Sequence, residues 1–350
     1  MKTLNGKFGI RPSVSRHARS TRILRDQRAV GRGVTILLMS VAFIWSSISP
    51  RLAVAQSLKE IRVGSSNISV TNVVAYYARD RKFFEAEGFD AKIIIIKTEA
   101  ALAALSAGDL DYSTLSTSSI EGALKGLPLR VIAVTNRHPL LGLVVRKGIN
   151  SVADLRGKKL SVSSFGGATY GAALYLLRNN GLKPKQDVTI LAGGNNSIRV
   201  GALKQGAVDA VMLSAPEDIK AAAEGFNILL DVGSDYRLPW GGISTTQSKI
   251  DRSRAEAEKF VRAVLRATRS ITEPQNKQDV TGWLGKFFNL DVTVAEEFYR
   301  RLMPSLNPSG IVERDKIKLV IDSAIERGLT DKPLDPDAVT DFSIARKLRF

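Results

Sequence analysis

Cysteine is absent from the 350 residues. Its absence excludes disulfides, thiolate metal sites, a cysteine nucleophile and a lipid-modified cysteine behind an export signal. Histidine is almost as scarce, with only His17 and His138, so neither a histidine-rich metal site nor a nucleophile–histidine triad is expected. The longest apolar stretch falls short of the roughly 20 residues that a spanning helix needs, and long polar or low-complexity tracts are missing too. What remains is an ordinary globular balance, 44% hydrophobic and 24% charged, in a chain long enough for two modest domains.

A net charge of +17 points at first to nucleic acid or an anionic membrane. About half of it sits at the N-terminus. Residues 1–56 hold ten Lys/Arg and one acid, Asp26, which leaves 41 basic against 33 acidic residues, or +8, for the rest. No dense basic run interleaved with aromatics remains there, so no nucleic-acid partner is expected. The N-terminus instead has the layout of an export signal: an Arg-rich stretch to Gly33, an uncharged apolar stretch over 34–48, and an A-x-A site at Ala53-Val54-Ala55. Residues 1–55 are read as a signal peptide cleaved after Ala55. No adjacent Arg pair precedes the apolar stretch, which favours general secretion, and a periplasmic location follows.

From residue 57 onward, strand-like and helix-like segments alternate, which argues for an α/β class. Residues 61–65 read as a strand, and 72–87 as a helix with Val73, Val74, Tyr77 and Phe84 at helical spacing. The run AKIIII at 91–96 reads as a buried parallel strand. A helix over 100–107 stops at Gly108, and 112–116 and 129–135 read as further strands. The order then starts again, with strands expected at 159–163, 188–191, 210–213 and 228–232. Leu105-x-x-Gly108-x-x-Asp111 recurs as Leu203-x-x-Gly206-x-x-Asp209, an offset of 98 residues. The same offset carries Leu115-Ser116 onto Leu213-Ser214 and Ser65-Ser66 onto Ser163-Ser164. Two similar α/β lobes are the simple physical reading. The last third is helical, with capping boxes at Ser253-x-x-Glu256 and Thr293-x-x-Glu296.

In order and spacing, several segments resemble the solute-binding proteins of nitrate/sulfonate/taurine ABC importers, the NMT1-like proteins. They are VVAYYARDRKFFEAEGFDAKI (73–93), AALSAGDLDYSTLSTSS (103–119), LGLVVRKGINSVADLRGKKLSVSSFGG (141–167) and ALKQGAVDAVMLSAPEDIKAAAEGF (202–226). The resemblance implies a class II periplasmic-binding-protein fold: two hinged lobes, each with a mixed, mainly parallel sheet, joined by two crossovers. On this chain the crossovers are expected near 139–145 and 231–241. Lobe 1 is then 57–140 plus 240–350, with the C-terminal helices packing back on the first half, and lobe 2 is 141–239. The resemblance also implies a small-molecule solute, an ABC permease in the inner membrane as partner, and a monomer without cofactor or metal.

In open α/β sheets, ligands bind beyond the carboxyl ends of the strands. Those positions are rich in small polar residues here: Ser65, Ser66 and Asn67 after the first strand, and Thr117 and Ser118 after the third. Their lobe 2 counterparts are Ser164, Gly166, Gly167, Thr169 and Ser214. Each stretch leads into a helix start, where free N–H groups and the helix dipole favour an anion or a polar planar ligand. The same Ser and Thr residues also suit plain helix capping. Asn136 and Trp240, beside the crossovers, complete the candidate set; Trp240 is placed to stack on a ligand or close the cleft. Arg137 suits either a ligand anion or a solvated hinge charge. The alternative from another class is an enzyme on the same fold, related to thiamine-pyrimidine synthesis. Such relatives use histidine or cysteine, and beyond residue 56 this chain holds only His138, so no catalytic residue is assigned.

Overall fold

The computed structural model describes residues 57–165 and 168–348. The expected signal peptide with its cleavage site, and the candidates Gly166 and Gly167, lie outside the described residues. Ten strands form two five-stranded sheets. Lobe 1 uses β1 (Lys59–Ser65), β2 (Phe89–Ile95), β3 (Tyr112–Ser113), β4 (Leu129–Asn136) and β10 (Gly241–Thr246), in the order β2-β1-β3-β10-β4. Lobe 2 uses β5 (Leu141–Val145), β6 (Lys159–Val162), β7 (Thr189–Ala192), β8 (Ala210–Ser214) and β9 (Asn227–Asp231), in the order β7-β6-β8-β5-β9. In each sheet one strand runs against the rest: β10 against β3 and β4, and β5 against β8 and β9. Both are the strands the chain enters directly after changing sheets, through residues 137–140 and 232–240. The first crossover is thus shorter than expected, and 141–145 is a fully buried strand.

The helices between strands are α1 (Val73–Asp80), α2 (Phe83–Ala86), α3 (Thr98–Ala107) and α4 (Ser116–Leu124) in lobe 1, and α5 (Ala168–Asn179), α6 (Asn196–Lys204) and α7 (Glu217–Ala223) in lobe 2. The single helix expected over 72–87 is broken, because Lys82 takes a left-handed conformation at φ 61°. The break lets α2 turn Phe84 into the lobe 1 core, where it stacks on Phe260, which in turn stacks on Tyr112 at 3.9 Å.

The internal repeat is real, and its register is specific. Gly108 and Gly206 both hold positive φ, 87° and 72°, between a helix and the strand that follows it, β3 and β8 respectively, a conformation that costs glycine nothing. Three residues later, the Asp111 carboxylate accepts the Arg62 amide at 2.9 Å, and Asp209 accepts the Lys159 amide at 2.9 Å. Each acid thereby ties its turn to a neighbouring parallel strand of its own lobe, β1 in lobe 1 and β6 in lobe 2. Strand pairing sets Val63 opposite Tyr112 and Leu160 opposite Ala210. Ser65 therefore corresponds to Val162 and Ser66 to Ser163, one residue away from the match in the sequence alone.

The C-terminal helices are α8 (Gln247–Arg252), α9 (Arg254–Thr272), α10 (Lys277–Phe288), α11 (Val292–Ser305), α12 (Arg314–Glu326) and α13 (Ser343–Lys347). The apolar face of α9 (Phe260, Val261, Val264, Leu265) enters the lobe 1 core with Phe298 and Leu302 of α11. Helix α12 behaves differently. Its Val320, Ile321 and Ala324 share one buried cluster with Ile120 and Ala123 of α4 and with Ala172 and Ala173 of α5, so it spans both lobes. Arg327 pairs with Glu121 at 2.6 Å on one side, and Glu326 with Arg178 at 3.1 Å on the other. A second tie crosses the lobes: Arg301 of α11 donates to Asp218 of α7 at 2.8 Å and to Asp231, the last residue of β9, at 3.2 Å. Asp218 is fully buried against Gly142, where any side chain would meet its carboxylate. Burial pushes the Asp218 carboxyl up to about 6, against the pull of Arg301.

Candidate functional site

In open α/β sheets the carboxyl ends of parallel strands are where ligands bind; here Thr117 at the start of α4 and Ala168 at the start of α5 line one small pocket together with Trp240. In lobe 1, Ser65 is buried at the end of β1, and its hydroxyl donates to the Asn67 carbonyl at 2.9 Å. Asn72, one residue ahead of α1, reaches back and donates to Ser65 Oγ at 2.7 Å and to the Asn67 carbonyl at 2.6 Å. The loop is thus tied at both ends, while the side chains of Ser66 and Asn67 have no hydrogen-bond partner among the described residues. Close to Ser65 lies the Tyr76 hydroxyl, buried yet without a completed hydrogen bond. Burial raises its pKa, opposed by Ser65 and Arg79.

Thr117 and Ser118 sit in the first turn of α4 rather than in a loop. Thr117 donates to the Trp240 carbonyl at 3.3 Å, and the Trp240 amide donates to the Asn136 carbonyl at 3.1 Å. The Asn136 side chain is itself buried, between the Thr135 hydroxyl at 3.0 Å and the Ser305 hydroxyl at 3.3 Å. Thr117, Asn136 and Trp240 are therefore brought together at the second crossover, where Trp240 is half-buried against the apolar cluster under α12. Ser118 is half-buried and has no partner among the described residues.

In lobe 2, Thr169 Oγ1 accepts the Ser163 amide at 2.9 Å and meets the Ser163 hydroxyl at 2.7 Å. It closes the loop after β6 much as Asn72 closes the loop after β1. Ser164 is exposed and unpartnered among the described residues. Ser214, at the end of β8, is held in a network absent from the candidate set. Asn196, the first residue of α6, donates to Ser214 Oγ at 3.1 Å and to Glu217 Oε2 at 3.2 Å. Its own carbonyl oxygen receives Arg199, which also donates to the carbonyls of Gly194 and Met212, the latter at 3.1 Å. Arg199 is 2% exposed, and burial lowers its pKa to about 10 while Glu217 opposes the shift. It stays charged at neutral pH, beneath the end of β8. The signal for it lay in Gly193-Gly194. A Cβ on Gly193 would collide first with Ser161 Oγ and stand 2.9 Å from Arg199 Cγ, so the glycine makes room for both side chains. A basic residue at helical spacing otherwise reads as solvated.

A cavity of about 1040 Å³ lies elsewhere. It opens on the β4–β9 side of the crossovers and is lined by Arg137, His138, Leu229, Arg300, Arg301 and Val312 among others. Arg137 thus faces this hinge cavity rather than the strand ends. Among the described residues, no cluster of His, Cys, Asp and Glu could hold a metal ion, and no helix is long and apolar enough to cross a membrane.

These features have close structural parallels. The periplasmic aliphatic sulphonate binding protein SsuA from Escherichia coli superposes with a TM-score of 0.66 at 21% identity, over 80% of this chain and 97% of its own. The alkanesulfonate-binding protein SsuA from Xanthomonas axonopodis pv. citri, bound to MOPS, gives 0.66 at 19% identity over 81% and 98%. The periplasmic nitrate-binding protein NrtA from Synechocystis PCC 6803 gives 0.68 at 14% identity over 83% and 88%. At such identities these likenesses establish the periplasmic-binding-protein fold. No curated protein matches the chain. A family model described as NMT1/THI5 like matches residues 70–277, from the loop after β1 to the start of α10. That match runs through both lobes and covers more than half of the chain, which belongs to the NMT1/THI5-like family.

Proposed function

We propose that the chain is an exported solute-binding receptor of an ABC importer. It captures a small anionic or polar solute between its two lobes and delivers it to a permease in the inner membrane. What supports the reading is a set of polar side chains without a hydrogen-bond partner among the described residues, Ser66, Asn67, Ser118 and Ser164, placed just beyond β1 and β6 and in the first turn of α4. The neighbouring hydroxyls and amides are tied into the loops, so the loops hold their shape while these four remain available. Solute engages one lobe first, the second closes over it, and the closed form is the one the permease recognises. The periplasm and a monomeric state belong to this proposal. An export signal at 1–55 fits it, as do the sulfonate-binding and nitrate-binding roles of the structural neighbours.

The one histidine of the described residues, His138, meets the Pro139 carbonyl at 3.2 Å beside the hinge cavity. The test is a thermal-shift panel of nitrate, sulfonates, bicarbonate, aromatic carboxylates and pyrimidine precursors, followed by calorimetry on the compounds that bind. A solute at 100 times its dissociation constant is expected to add about 2.7 kcal/mol of stability and to be recovered unchanged. Ser164→Trp removes the shift without lowering the melting temperature. An unchanged response in that variant, or chemical conversion of the compound, contradicts the reading.

A further inference from the structure

The hinge cavity shares no wall residue with the small pocket at Thr117 and Trp240. Its volume of about 1040 Å³ is at the upper end of the roughly 300–1,000 Å³ of ligand pockets. Four parts of the chain meet in it: the first crossover at Arg137, the second at Arg237, β9 at Leu229 and Leu230, and α11 at Arg300 and Arg301. Lys316 of α12 completes a set of five basic side chains, against three carboxylates. The Arg137 amide donates to the Ser305 carbonyl at 2.6 Å, which seats the first crossover on the end of α11, one turn beyond Arg301.

The charges are not all matched within the protein. Glu297 is committed to Arg300 at 2.7 and 2.6 Å, and Asp231 accepts Arg301 Nε at 3.2 Å. The third carboxylate, Glu313, is exposed at the N-terminal end of α12. Two guanidiniums keep donors to spare. Arg137 is exposed, and its side chain has no hydrogen-bond or ion-pair partner among the described residues. The Arg301 side chain is only 8% exposed, yet its buried Nη2, although 3.1 Å from Asp231 Oδ2, completes no hydrogen bond. A buried donor left open is costly until something accepts from it. Lys316 is held only by its chain neighbour Asp315, at 3.3 Å.

We propose that the hinge cavity is a binding site of its own, for a small doubly charged oxyanion held by Arg137, Arg301 and Lys316. Two charges match the excess of basic over acidic side chains in its walls. Planar guanidiniums suit the paired oxygens of a carboxylate or phosphate. Leu229, Leu230 and Val312 form an apolar wall, which keeps water from one side and strengthens an ion pair formed against it. The site is separate from the strand ends and stands whether or not these capture solute. Its walls belong to both lobes and both crossovers, so one bound dianion touches parts that a change of hinge angle moves relative to one another.

The test is calorimetry on the full-length protein at about pH 8, where inorganic phosphate and succinate are both dianions, with acetate and nitrate as singly charged controls. At least one dianion is expected to bind with a dissociation constant below about 1 mM, and the controls about tenfold more weakly or not at all. Binding of succinate alone marks a dicarboxylate site, and of phosphate alone a phosphate site. Arg137→Gln and Lys316→Gln should each weaken the dianion about tenfold. Both side chains reach solvent and hold no buried partner, and an unchanged thermal melt verifies folding. Hydrogen exchange with the dianion bound should show protection over 228–231 and 297–316 together. Equal affinity in both variants overturns the proposal, as does protection over 66–72 or 163–170 instead, or no binding of either dianion up to about 10 mM. The receptor reading survives each of these results.

Discussion

Two loops built on one plan are held by different chemistry. After β1, an amide does the work: Asn72 spans the loop with two donors and leaves lobe 1 without a buried charge at its strand ends. After β6, a hydroxyl does it: Thr169 holds Ser163, and lobe 2 adds the buried Arg199 guanidinium under β7 and β8. Neutral ties can be broken one at a time at modest cost. A buried cation shared by two carbonyls and an asparagine fails as a unit, because each acceptor it leaves behind is desolvated. The strand ends of lobe 2 are therefore expected to be more rigid than those of lobe 1.

The largest expected effect comes from removing that cation. Arg199→Met deletes charge-assisted hydrogen bonds to Gly194, Met212 and Asn196 and should cost about 4 kcal/mol in urea unfolding. Hydrogen exchange should show the loss over 189–214 and leave β1 to β4 unchanged. Uniform loosening of both lobes would erase the contrast. Next comes the tie between them. Arg301→Ala strands the buried Asp218 carboxylate, at about 3 kcal/mol near pH 7. The native Asp218 pKa is about 6 against 3.8 for the unfolded chain. The native state thus binds this proton more tightly, and the favourable contribution is complete below 3.8 and lost as pH rises through 6. Without Arg301 the native pKa rises further, so the variant's deficit should be clearly smaller at pH 5 than at pH 7. An equal deficit at both would mean that Asp218 does not titrate there.

Smaller effects compare the loop ties directly. Asn72→Ala should cost about 2 kcal/mol and Thr169→Ala about 1, measured by the same denaturation. Smallest in stability is Tyr76→Phe, within about 0.5 kcal/mol because the hydroxyl has no completed hydrogen bond to lose. If that hydroxyl donates to solute, affinity drops about fivefold by calorimetry. No drop would assign Tyr76 to packing alone.

Much of this architecture was legible in the chain. The Leu-x-x-Gly-x-x-Asp turns announced two lobes because a left-handed glycine and an acid that caps a strand need particular residues. The one-residue shift between Ser65 and Ser163 was not legible, since neighbouring serines look alike until strand pairing fixes the register. Residues 117–119 read as a loop after a strand ending at Ser116, because serine and threonine favour caps, yet packing of Ile120 and Ala123 draws 116–119 into the first turn of α4. Of the candidate set, Ser66, Asn67, Ser118 and Ser164 keep free side chains. Ser65, Thr117, Asn136, Thr169 and Ser214 are hydrogen-bonded within the protein, a distinction that composition cannot reveal. The ion triad of Asp218, Asp231 and Arg301 joins residues far apart in sequence and left no local trace. Helix α12 packs on the first half through α4, and its small residues Ala324 and Ser323 let it also lie against lobe 2, which the sequence did not announce.

The central claim is that one small molecule is gripped at once by the loops after β1 and β6. Hydrogen exchange with and without the tightest binder of the thermal-shift panel measures this directly. The account predicts that amides over 66–72 and 163–170 gain protection together, by similar factors and at the same solute concentration. Protection of one loop alone, or of 297–316 beside the hinge cavity instead, would contradict it.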